Sequence, residues 1–137
     1  MAETARMIAT AMLVMMVVAT SMYLAHTYSE SDAGFVLNTI SSHNIVIFSK
    51  SYCPHCRRAK AVFKQLKQTP YIVELDERDD GWKIQSKLGK IVGSHIVPQV
   101  FINGRHIGGS DETIVAYGTG QLARLLGIEP IDRSCRS

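Results

Sequence analysis

The chain has 137 residues, 46% hydrophobic and 20% charged, with ten Gly and four Pro. That fits one globular domain and excludes a multidomain machine, a disordered chain or a collagenous one. Fifteen Lys and Arg against twelve Asp and Glu leave a formal charge of +3 with no run of five like charges, so nothing favours nucleic-acid binding, and three cysteines, two of them near neighbours, argue against a disulfide framework.

All six Met fall within the first 22 positions, and no charged residue stands between Met7 and Ala25. As a helix that stretch reaches about 28 Å at about 1.5 Å per residue, close to the roughly 30 Å of a bilayer's hydrocarbon core. Preceded by Arg6 and the free amine, it reads as a signal peptide or a signal anchor for the secretory pathway, the endoplasmic reticulum or Golgi lumen. Ala19-Thr20-Ser21 offers small residues at a spacing suited to signal peptidase, so release and anchoring both stay open. The alternative is an N-terminal helix of a cytoplasmic protein. Residues 1–30 are accordingly this segment and a short polar link, and residues 31–137 the functional domain.

Ser29 and Asp32 precede an amphipathic stretch, which predicts a capped helix over 32–42. Ile45 to Ser49 is apolar on both faces, the pattern of a central strand covered on each side. Cys53-Pro54-His55-Cys56 follows, then Ala59, Val62, Phe63 and Leu66 at helical spacing with Arg57, Lys60, Lys64 and Lys67 on another face. Pro70 ends that helix, and Tyr71 to Leu75 predicts a second strand, parallel to the first through a right-handed crossover. After the acidic loop 76–80 come a helix over 81–92, a strand over 97–102 opening at a proline, and an Asn103-Gly104 hairpin returning over 105–107. Gly108-Gly109 breaks the chain, Ser110 with Asp111 and Glu112 caps another helix, and a last helix covers 120–126.

Four strands flanked by helices on both faces, with Cys-x-x-Cys at the head of the first crossover helix, specify an α/β thioredoxin-like fold with a mixed sheet. A cysteine at a helix N-terminus meets unpaired N–H groups and the positive end of the dipole, which stabilise its thiolate. Cys53 is so placed. Cys56, a turn further on, can resolve a mixed disulfide formed by Cys53, and Pro54 suits the first helical position. No metal site is expected, because His26, His43, His95, His106 and Cys135 form no second ligand pair for zinc. His55 is either an ordinary exposed side chain or, when protonated, a stabiliser of the Cys53 thiolate.

Lys50-Ser51-Tyr52-Cys53-Pro54-His55-Cys56, Val97-Pro98-Gln99-Val100-Phe101-Ile102 and Ile107-Gly108-Gly109-Ser110-Asp111 together resemble the dithiol glutaredoxins over roughly residues 35–128. Val46 to Tyr52 and Val-Glu-Leu-Asp at 73–76 resemble especially the plant members, some of which carry N-terminal signal sequences. The resemblance implies a monomeric glutathione-dependent thiol-disulfide oxidoreductase that reduces protein–glutathione mixed disulfides and small disulfides. It implies that Lys50 and Gln85 receive the glycine carboxylate of glutathione, that Val97, before the cis-proline Pro98, pairs with the cysteinyl backbone, and that Ser110 and Asp111 hold the γ-glutamyl end. Taken singly, Lys50 and Gln85 read more readily as solvated residues, and Ser110 and Asp111 as caps; their joint placement favours the ligand. Ile96 and His95 depart from the Thr and Arg frequent there, and His55 stands where Tyr is common. The other readings are a glutathione-ligated iron–sulfur module, which Pro54 argues against, and a lumenal thiol oxidase.

Overall fold

A computed structural model describes residues 1–128, and of residues 26–32 the backbone alone. The tail with Cys135, and the capping side chains of Ser29 and Asp32, lie outside what is described. The elements run α1 (Ala2–Ser42), β1 (Ile45–Ser49), α2 (Pro54–Gln65), β2 (Tyr71–Glu74), a 3-10 turn (Leu75–Glu77), α3 (Gly81–Val92), β3 (Gln99–Ile102), β4 (Arg105–Gly108), α4 (Ser110–Gly118) and α5 (Gln121–Leu126).

Beside one-residue shifts at the ends of β2, β4 and α5, four boundaries differ from expectation. α2 stops at Gln65, five residues short of Pro70, with Lys67 at φ of 55°. The helix predicted over 32–42 is the last part of one continuous helix from Ala2. The link between them is polar but holds neither Gly nor Pro, and polarity alone does not break a helix. The third strand starts at Gln99, so Val97 and Pro98, joined by a cis peptide, precede it. Ser110 is the first residue of α4 rather than its cap: Gly109 takes the cap position, and its N–H donates to Glu112 Oε2 at 2.8 Å.

The sheet order is β2-β1-β3-β4, with β1 parallel to β2 and antiparallel to β3, and β3 antiparallel to β4. β1 is central and buried throughout. Side chains alternate across a strand, so Ile45 and Ile47 join Val62, Phe63, Val100, Ile102 and Leu122 beneath α2, α4 and α5. Val46 and Phe48 join Val36, Ile40, Ile84, Leu88 and Phe101 beneath α1 and α3. Asn103 and Gly104 take φ of 48° and 78°, the left-handed pair that a two-residue hairpin turn requires.

Where α3 starts, backbone packs on backbone. A Cβ at Gly81 would lie 1.7 Å from the Leu75 carbonyl oxygen, so the turn closing β2 can press against the helix only with glycine there.

Candidate active site

β1 ends at Ser49, β2 ends beside it with Glu74 paired to Ser49, and β3 begins beside it with Gln99 paired to Phe48. The loop 50–53, the cis Val97–Pro98 bond and, through the pairing of Gly108 with Val100, the start of α4 therefore share one end of the sheet.

Cys53 is the N-cap of α2, in extended conformation, with Pro54 as the first helical residue. Its thiol is partly exposed, that of Cys56 is buried, and both are free. Burial works against the Cys53 thiolate, but hydrogen bonds from the Cys56 thiol, the Cys56 N–H and the His55 N–H, with the charge of Lys60, outweigh it and hold the Cys53 pKa below its ordinary value. Burial pushes the Cys56 thiol up, and the bond to Cys53 adds to the rise. One sulfur is set to be a thiolate and the other to donate to it. What His55 brings to Cys53 is its backbone N–H; its side chain is exposed.

The loop carrying Lys50 is tied down by Asp76, which accepts from the Ser51 N–H at 2.8 Å and from the Ser51 hydroxyl. Those bonds, assisted by the Lys50 charge, hold Asp76 below the usual carboxylate range. Lys60 donates to Glu74 across the α2–β2 gap. Sequence reading assigned no role to Ser51, Asp76 or the Lys60–Glu74 pair. The one available signal was Lys60, a helical turn beyond Cys56.

Of the other predicted residues, Gln85 lies on α3 and its Nε2 donates to the His95 carbonyl at 2.6 Å, joining α3 to the segment before Pro98. Val97 is half-buried and Pro98 buried. Ser110 is buried with its hydroxyl unpartnered, and Asp111 is exposed, its carboxylate 3.9 Å from Arg58 Nη1 on α2. Among the described residues no three His, Cys, Asp or Glu side chains gather as a metal site.

Two thiols of opposite bias, one at a helix head and one a turn behind it, on a four-stranded mixed sheet with a cis-proline at the same end, make this a thiol-disulfide oxidoreductase of the thioredoxin-like class. The sequence model of the glutaredoxin family matches residues 45–107. The chain is 58% identical to glutaredoxin-C4 of Arabidopsis thaliana over 123 residues, 90% of this chain and 91% of that protein. It is likewise 58% identical to monothiol glutaredoxin-S6 of Oryza sativa over 99 residues, 72% of this chain and 76% of that one. Among solved structures, a buckwheat glutaredoxin–glutathione complex is similar at TM-score 0.70 and 36% identity, covering 72% of this chain and 90% of that chain. Reduced glutaredoxin C1 of Populus tremula x tremuloides aligns at TM-score 0.71 and 35% identity, over 74% and 87%. The chain belongs to the glutaredoxin family and is a glutathione-dependent thiol-disulfide oxidoreductase.

Proposed function

We propose that the enzyme reduces protein–glutathione mixed disulfides and low-molecular-weight disulfides, with Cys53 as nucleophile. The observation that carries this is the opposite bias of the two thiols. The Cys53 thiolate attacks the glutathione sulfur of a mixed disulfide, the substrate leaves as its thiolate and takes a proton, and Cys53 is left glutathionylated. A second glutathione, as thiolate, then attacks the glutathione sulfur of that disulfide, giving oxidised glutathione and releasing the Cys53 thiolate. Together the two steps turn a mixed disulfide and one glutathione into the substrate thiol and oxidised glutathione, one disulfide being broken as another forms. In dithiol exchange Cys56 displaces the substrate instead. Cys53→Ser is expected to abolish both activities, and Cys56→Ser to keep deglutathionylation while losing dithiol exchange; equal loss of deglutathionylation in both would refute the assignment.

For glutathione, Lys50 and the free N–H of Gln85 meet the glycine carboxylate, Val97 pairs with the cysteinyl backbone, and the start of α4 receives the γ-glutamyl end. The unpartnered hydroxyl of buried Ser110, at the head of a nine-residue helix, supports a polar ligand there. Asp111 faces the ammonium, and His55 modulates Cys53 from the exposed side. The protein acts as a monomer on glutathione and on disulfide-bearing proteins.

Residues 1–30 direct the domain 31–137 into the secretory pathway, either as a signal peptide that releases it or as a signal anchor that holds it at a membrane. Supporting this, the helix over residues 2–25 holds an 18-residue stretch of mean hydropathy 2.0, none of it buried. The likeness to glutaredoxin-C4 covers all but 14 of the 137 residues (137 − 123), so it begins no later than residue 15, within that helix.

A further inference from the structure

We propose that α1 leaves the domain at its active-site end, so that Cys53 is turned toward the bilayer and the protein substrates are mixed disulfides held close to a membrane surface. This rests on the anchored form of the reading just given, and adds a direction and a substrate class to it.

Two contacts fix the direction of α1. His43, just after its last residue, stacks on Tyr71 with ring centroids 3.9 Å apart, and Tyr71 pairs with Val46 where both strands begin. Two helical turns before the end of α1, the Phe35 ring lies 4.6 Å from the Arg78 guanidinium, and Arg78 follows the 3-10 turn at the other end of β2. Read toward its N-terminus, α1 thus climbs from the strand starts to the strand ends. Cys53 is at the strand ends as well: Ser51, two residues before it, is bonded to Asp76, two residues before Arg78. Beyond Phe35 the helix continues to Ala2, so the apolar segment projects past the catalytic end. Ten residues separate Phe35 from Ala25, about 15 Å of helix.

The occupant of that segment is lipid. A groove or a second helix covers one stripe, but the unbroken apolar run from Met12 to Val18 covers every face of a helix. The uncharged stretch from Met7 to Ala25 rises about 28 Å, close to the roughly 30 Å core. The catalytic end itself presents amphipathic aromatics: Tyr52, beside Cys53, and Trp82, in the first turn of α3, are each 69% exposed, and Lys83 Nζ lies 5.7 Å over the Trp82 ring. Tyr, Trp and Lys favour the headgroup layer.

The consequence for substrates is a height filter. A short link places Cys53 within a few helical turns of the headgroups. A glutathionylated cysteine just outside a membrane span, or on a lipid-attached protein, is presented at that height, whereas a large soluble protein must first enter the gap.

The test uses the full chain in phosphatidylcholine and phosphatidylserine vesicles. In a Cys53→Ser, Cys56→Ser, Cys135→Ser background, a single thiol is introduced by Tyr52→Cys or, at the opposite end, by Thr69→Cys, and labelled with a fluorescent donor; the acceptor is on the headgroups. With the two positions about one strand length apart, roughly 17 Å, energy transfer from position 52 should exceed that from position 69 about twofold or more. Equal or reversed transfer from chains that resist alkaline carbonate extraction would overturn the orientation and leave the anchoring intact. Extraction by carbonate, or a shortened chain in microsomes, would overturn both. A second measurement needs no substitution: wild-type chain on vesicles should turn over a headgroup-tethered glutathionylated peptide on a short spacer faster than on a long one. Faster turnover on the long spacer would overturn the proposal.

Discussion

Cys53 and Cys56 were legible as a pair because helix geometry fixes what three residues' separation means at a helix head. Their opposite bias was legible in part, since it also depends on which sulfur is buried. Ser51–Asp76 and Lys60–Glu74 were not legible: partners 25 and 14 residues apart meet only once β1 and β2 are in register. The bias makes a pH prediction. Because the Cys53 pKa lies below the ordinary thiol value and that of Cys56 above it, acidification from alkaline pH should remove the Cys56 thiolate first and that of Cys53 last. Alkylation by iodoacetamide, read at each cysteine by mass spectrometry, should follow that order, and Lys60→Gln should move the Cys53 limb to higher pH. At Lys50, a charge-assisted bond worth about 1.5 to 3 kcal/mol would be lost in Lys50→Ala. The KM for glutathione should rise about tenfold or more, while an unchanged KM in folded protein would make Lys50 an ordinary solvated side chain.

At the scale of the element, strands and helices announced by burial pattern or by Asn-Gly lie, the end of α2 apart, within a residue or two of expectation, because period and turn chemistry are local. The miss at α4 has a tertiary cause. Ser is a good cap on propensity, but Gly108 takes φ of 128° and Gly109 carries the chain into the helix, which moves Ser110 inward by one position and buries it. The merging of two expected segments into α1 was a different error, the reading of composition as a boundary. Where the turn after β2 meets α3, Gly81→Ala would press a methyl group into the Leu75 carbonyl. Overpacking of this kind costs about 1 to 3 kcal/mol, and this one involves backbone on both sides. Denaturant midpoints should fall accordingly, and wild-type stability in Gly81→Ala would show that the turn can move away.

For the whole molecule, the sheet order follows from the parallel crossover and the hairpin, both readable in the chain, whereas the direction in which α1 departs depends on contacts at His43 and Phe35 that no local pattern specifies. The destination of the N-terminal segment can be tested apart from the chemistry. A fluorescent protein carrying residues 1–30 should enter the endoplasmic reticulum, and the full-length chain should be protected from protease in intact microsomes. Diffuse cytosolic fluorescence would refute the targeting and leave the redox assignment standing.

β1 is paired on both edges and covered on both faces, and the cysteine loop hangs directly from its last residue. Amides in such a position exchange with deuterium only when the domain opens as a whole. Fraying at the periphery of the sheet, at β4 or α5, therefore leaves the thiols where they were. The two thiols hang from the strand expected to exchange slowest, and hydrogen exchange followed by mass spectrometry should show β1 protected longer than β4 or α5.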